Sequence, residues 1–142
     1  MPTMRVLLVD DSATSLFRTS IVVRRAGHEV LTAMDGEKAV EVALSERPDL
    51  ILMDVEMPKM NGFEACRRLR QHAETRSTPI IMVSSRGETA SREMGKRSGC
   101  TDYLPKPFDA ETLRAMIQTH LEANRSAEAG RNGSSRREQA SA

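Results

Sequence analysis

Asp10-Asp11, Asp54, Ser84 and Lys106 are scattered along the chain, yet each lies at or just past the end of a short apolar run. Carboxylates supply hard oxygen ligands for a divalent cation, and Mg²⁺ takes one or two of them while keeping several waters. An ammonium group balances phosphoryl charge, and a hydroxyl donates to one of the equatorial oxygens. A rigidly held carboxylate beside them is itself a nucleophile. Three acids, a hydroxyl and a lysine on one rim therefore suit a cation held next to a phosphoryl group.

Taken singly, each residue has an ordinary reading. Asp10 and Asp11 suit the cap of a first helix, a role open to Ser12 as well. Asp54 suits a surface ion pair, Ser84 a loop hydroxyl and Lys106 a solvated charge. The ordinary readings weaken jointly, because they do not account for every candidate falling at the same end of successive apolar runs.

Those residues meet only if the runs are neighbouring strands. The runs are Val6–Val9, Val30–Ala33, Leu50–Met53, Ile80–Val83 and, more weakly, Tyr103–Leu104. Their length and flanking turn residues predict strands buried on both faces. Helix-period segments separate them. Ser12 to Ala26 carries Leu16, Phe17, Val22 and Val23; Glu37 to Glu46 carries Ala39, Val40, Ala43 and Leu44. Phe63 to Gln71 carries Phe63, Cys66 and Leu69, and Ala110 to Glu122 carries Leu113, Met116, Ile117 and Leu121. Gly27, Pro48, Pro79 and Gly99 punctuate the gaps. Glu88 to Ser98 is the weakest helix, with Gly95 inside it and only Ala90 and Met94 as apolar anchors. Strands and helices in alternation predict a doubly wound, five-stranded parallel sheet covered on both faces. Function in such a sheet gathers beyond the carboxyl ends of its strands.

Composition narrows the function classes. The 142 residues suit one domain, and Lys plus Arg (21) nearly balance Asp plus Glu (20), which disfavours nucleic acid or a membrane surface as partner. Three Phe, one Tyr and no Trp leave little for stacking on bases. Cys66 and Cys100 form no metal-binding spacing and read as two reduced thiols. The first apolar run is too short for a signal peptide, and nothing approaches a membrane span, so the expected location is the cytoplasm. Residues 1–122 form the expected domain. The tail, 123–142, has four Arg, two Glu and no large apolar residue, and is expected to be disordered, either solvated or used as a docking arm.

LLVDDS at 7–12, LILMDVEMPKMNG at 50–62, IIMVSS at 80–85 and DYLPKPF at 102–108 together resemble the receiver domain of two-component response regulators, over residues 4–122. The resemblance implies a flavodoxin-like strand order of 2-1-3-4-5. It implies that Asp54 is the phosphoacceptor, loaded by a histidine kinase or phosphotransfer protein. Asp10, Asp11, Asp54 and the backbone carbonyl of Glu56 would hold Mg²⁺, Asp11 touching it directly. Ser84 would be the switch hydroxyl, Lys106 (before Pro107 in a cis bond) would contact the phosphoryl, and Tyr103 would turn inward on activation. Glu56 and Arg86, two residues beyond Asp54 and Ser84, take positions that tune how water reaches the phosphoryl. Ser84-Ser85 departs from the family's commoner threonine followed by a small residue.

Self-phosphorylation and dephosphorylation at Asp54, rather than turnover of a separate substrate, is the expected activity. Twenty polar residues after 122 offer no recognition helix, so the expected output is binding of a downstream protein through the fourth-helix, fifth-strand and fifth-helix face, not of DNA. GKRSGCTDYLPKPFDAETL is similar to single-domain regulators of twitching motility, which points to chemotaxis, pilus or gliding systems. Two readings compete: a phosphorylation-independent docking module, and an Asp-nucleophile phosphohydrolase of the haloacid-dehalogenase kind. The second is disfavoured because the first run ends D-D-S rather than D-x-D and leaves no room for a cap.

Overall fold

The computed structural model describes residues 4–85 and 89–124. Five strands alternate with helices: β1 (Arg5–Val9), α1 (Ala13–Arg25), β2 (Glu29–Ala33), α2 (Gly36–Glu46), β3 (Leu50–Asp54), α3 (Gly62–Arg70), β4 (Ile80–Ser84), α4 (Thr89–Ser98), β5 (Asp102–Pro105) and α5 over 110–124. All four strand pairings are parallel, in the order β2-β1-β3-β4-β5. This is the doubly wound, flavodoxin-like architecture.

Alternation along the strands splits the core in two. Leu7, Val9, Ile51, Met53, Ile80 and Met82 face one way, with Ala39, Ala43, Ala65, Cys66 and Leu69 from α2 and α3. Val6, Leu8, Leu50, Leu52, Ile81 and Val83 face the other, against Leu16 and Val23 of α1 and Leu113, Ile117 and Leu121 of α5. Every residue of β3 and β4 is buried, as near-continuous apolar strands in the middle of a parallel sheet must be.

Side-chain caps start the first three helices. The Ser12, Asp35 and Asn61 side chains accept from Ser15, Lys38 and Glu64 backbone N–H groups at the N-caps of α1, α2 and α3. Asp109 accepts from the Thr112 N–H in the first turn of α5. Cys66 and Cys100 are both free thiols, and burial pushes both up, Cys100 to about 11.

Two apolar anchors expected from helical period are misplaced. Phe17 is 67% exposed, because Leu16, Ser20 and Val23 take the inward stripe of α1. Ser20 is tolerated there because its hydroxyl donates to the Phe17 carbonyl. In α4, Met94 is 41% exposed, and among the described side chains the buried ones are Gly95 and Ser98. The small size of Gly95 lets α4 settle onto β5 and α3, so it marks a close approach rather than a defect. Glu88 and the side chain of Ala90 lie outside the described residues, as does the tail from 125 onward; helix α5 runs to 124, past the expected boundary at 122.

Gly62 is the tightest point between the elements. A Cβ there would collide with the Asp54 carbonyl oxygen and lie 2.7 Å from the Met82 methyl carbon. The Gly62 N–H meanwhile donates to the Val55 carbonyl at 2.9 Å, closing the turn that follows β3. Because backbone atoms cannot yield as a flexible side chain does, Gly62→Ala is expected to lower unfolding free energy in urea melts by about 2 kcal/mol or more. A neutral substitution would show that the turn is not packed against β3 as described.

Candidate functional site

Strand register assembles the site. Val9 pairs with Met53 across β1 and β3, so Asp10 and Asp54 come out level. Asp54 pairs with Val83 and Ser84 with Pro105, which sets Ser84 and Lys106 one step further along the same rim. The Lys106 N–H donates to the Ser84 carbonyl at 2.8 Å, and the Lys106–Pro107 bond is cis. Strand order reverses direction between β1 and β3, so the carboxylates stand at the switch point of the sheet.

Asp10, Asp11 and Asp54 each offer a carboxylate oxygen, all within 4.8 Å of one another. Lys106 Nζ lies 3.6 Å from both Asp10 Oδ2 and Asp54 Oδ1. One ammonium therefore faces two carboxylates directly, with a third alongside. Asp54, 7% exposed, is pushed up to about 6. Burial is the largest cause; the Asp10 and Asp11 charges add to it, while Lys106 and the Glu56 backbone N–H oppose it. A site this rich in negative charge, with its oxygens converging, fits a hard divalent cation, and the residues present match what Mg²⁺ accepts.

The capping reading for the first acids holds in part. Asp10 Oδ1 accepts from the Ser12 N–H at 2.9 Å, but the N-cap of α1 is Ser12, leaving Asp10 Oδ2 to Lys106 and Asp11 exposed at the rim. Ser84 is fully buried beside the rim. Glu56 is exposed, with its carboxylate 3.4 Å from the Ser85 hydroxyl. Arg86 lies outside the described residues. Tyr103 is 9% exposed and packs in the α2–α4 half of the core.

Two features had no signal in sequence. A groove of about 500 Å³ leads from Asp10, Asp54 and Lys106 past Pro107 and Phe108 to an apolar bed between α1 and α5, edged by Ser15 and Arg18. Arg92 of α4 lies over the Tyr103 ring, 5.4 Å from its centroid. Both depend on how separate elements pack, which linear spacing does not encode. Among the described residues, no helix is long and apolar enough to cross a membrane.

Known proteins give the same picture. The family described as response regulator receiver domain matches residues 6–118. "Protein PilH" of Pseudomonas aeruginosa is 43% identical over 117 residues, covering 82% of this chain and 97% of that one. Other curated relatives are longer, and the chain spans 48% of two of them. Among solved structures, the Vibrio cholerae chemotaxis response regulator CheY4 is 38% identical with a TM-score of 0.80, covering 84% of this chain and 99% of that one. The receiver domain of sensor histidine kinase PA1611 from Pseudomonas aeruginosa, described with a magnesium ion coordinated in its active-site cleft, is 31% identical with a TM-score of 0.80, covering 85% and 99%.

Asp54 makes stability depend on pH. Its carboxyl titrates near 6 in the folded chain against the usual 3.8, so the folded state holds the proton more tightly. The stability this contributes is fully present below about 4 and is lost as pH rises through about 6. Asp54→Asn escapes that loss. In metal-free buffer above pH 6 it is expected to resist urea better than wild type by up to about 2 kcal/mol, the two converging towards pH 4. A variant less stable than wild type at pH 7 would contradict the strain described here.

Proposed function

The chain belongs to the response regulator receiver domain family, and from that premise we propose that Asp54 is the phosphoacceptor of a Mg²⁺-dependent signalling switch. The observation that carries this reading is the convergence of Asp10, Asp11, Asp54 and Lys106 at the rim, with Asp54 buried and strained by its neighbours.

Asp10, Asp11, Asp54 and the Glu56 backbone carbonyl would hold the Mg²⁺, Asp11 directly. When bound, the ion offsets carboxylate charge and screens the incoming phosphoryl oxygens. Asp54 attacks the phosphorus of a phosphohistidine on a histidine kinase or phosphotransfer protein. The new bond is Asp54 Oδ–P and the bond broken is N–P; the phosphorylated imidazole, protonated from water on its other ring nitrogen, leaves as neutral imidazole. Lys106, already 3.6 Å from Asp54, turns to the phosphoryl oxygens and stabilises them. The Ser84 hydroxyl donates to another of those oxygens. The rigid β3 backbone keeps the nucleophile in place, and the groove beside Lys106 gives the donor a path of approach.

Movement of Ser84 toward the phosphoryl vacates space on the sheet face it shares with Met82 and Tyr103, and the Tyr103 ring, already buried in this structure, repacks into it. The α4–β5–α5 face then changes for a downstream protein. Similarity to PilH and to a chemotaxis regulator supports chemotaxis or pilus signalling as the setting, which we place in the cytoplasm. Glu56 and Arg86 tune how long the phosphoryl lasts. We disfavour the phosphohydrolase reading, because the nucleophile follows β3 rather than β1. The docking-module reading is disfavoured because no residue of the acidic site is missing.

Incubation with Mg²⁺ and acetyl phosphate is expected to add one labile phosphoryl group to the intact mass, absent with chelator and in Asp54→Asn. No gain in wild type with Mg²⁺ would reject small-molecule loading and favour the docking module. Charge reversal at Arg86 is expected to shorten the phosphorylated lifetime, followed as decay of that mass. An unchanged lifetime would remove Arg86 from the reading.

A further inference from the structure

Tyr103 is the only tyrosine of the chain, which has no tryptophan. Its ring is 9% exposed although it stands on β5, the shortest strand and an edge of the sheet. Something must cover it from outside, and that cover is α4. Gly95 closes one side: a Cβ there would lie 3.9 Å from Tyr103 Cδ2, 3.7 Å from Phe63 Cε1 and 3.0 Å from Cys100 Sγ. The Cys100 N–H donates to the Gly95 carbonyl at 3.1 Å, and the Ser98 hydroxyl donates to the same carbonyl at 2.7 Å. The close approach is thereby secured at the C-terminal end of α4. Arg92, less than one turn before Gly95, lays its guanidinium over the ring at 5.4 Å.

An exposed arginine on a helix face ordinarily extends into water. Here the ring quadrupole and the flat guanidinium give it a defined position, and arginine stacks on an aromatic face better than lysine does. Arg92 and Gly95 are spaced by three residues, so they share one face of the helix. That face meets Tyr103 with a cation at one end and a backbone surface at the other.

We propose that Arg92 is a positioning residue, holding Tyr103 in its buried orientation and thereby setting how the α4–β5 surface is presented to a partner. The hold on the ring stands on the contacts above; its consequence for a partner rests on the function proposed for the chain. A cation–π contact at an exposed site is worth about 0.5–1 kcal/mol, which corresponds to about a two- to five-fold change in the ratio of buried to solvent-facing ring.

The single tyrosine makes the test direct. Acrylamide quenching of intrinsic tyrosine fluorescence in the full chain reports on Tyr103 alone. Wild type is expected to be poorly quenched. Arg92→Gln, which keeps much of the length without the charge, is expected to shift the buried-to-exposed ratio by about two- to five-fold toward solvent. Arg92→Lys, which keeps the charge, is expected to recover most of the protection. Far-UV circular dichroism of both variants confirms folding, and residue 92 is exposed, so neither change disturbs the core. Equal quenching of all three proteins would overturn the proposal, and so would equal losses in the Gln and Lys variants. Phosphoryl uptake at Asp54, followed by mass on the same samples, separates the two readings. Its absence would favour the docking module over the phosphorylated switch, as above, and leave the quenching result to decide Arg92.

Discussion

Three carboxylates and one lysine at the end of a rigid sheet form an interaction that does not close by itself. Asp54 is buried, its neighbours Asp10 and Asp11 repel it, and Lys106 offsets only part of that repulsion. The folded chain tolerates this local strain because the rest of the domain over-determines the backbone beneath it. A site so arranged favours the approach of positive charge.

The supports for that strain are the two packed faces and the loop after β3. β3 is buried along its whole length, so Asp54 cannot relax by strand movement. Gly62 brings α3 against the Asp54 carbonyl, and the Asn61 cap starts the helix at that point. Arg70, at the far end of α3, donates to the Gly99, Thr75, Arg76 and Thr78 carbonyls, tying the α3–β4 and α4–β5 connections together. The site end and the opposite end of α3 are thus both pinned, one by close packing and one by hydrogen bonds.

The α4–β5 side is built differently. Among the described side chains of α4, Gly95 and Ser98 face inward and Met94 points outward. What holds this helix is proximity: backbone laid close to Tyr103, Phe63 and Cys100, with Arg92 over the ring. Asp102 and His120 add a short polar contact, 2.7 Å, between β5 and α5.

The order of elements, the parallel sheet and the acidic site were legible in the chain itself. Apolar runs of strand length ending in Asp10, Asp54 and Ser84 carry their own direction, and parallel pairing aligns such ends without further information. The Ser12 cap was legible for the same local reason, its hydroxyl accepting from a backbone N–H three residues on, while the matching caps Asp35 and Asn61 came from the structure. What the chain left undecided was which side of a helix turns inward when polar or small residues compete with apolar ones. Periodicity placed Phe17 and Met94 inside, whereas Ser20 and Gly95 occupy those faces because a self-satisfied hydroxyl and a bare backbone fit the available gap. The elevated titration of Asp54, the groove beside Lys106 and the seat of Arg92 on Tyr103 belong wholly to the tertiary structure. Each arises from groups distant in sequence brought within a few ångströms, where burial and charge act through space rather than along the chain.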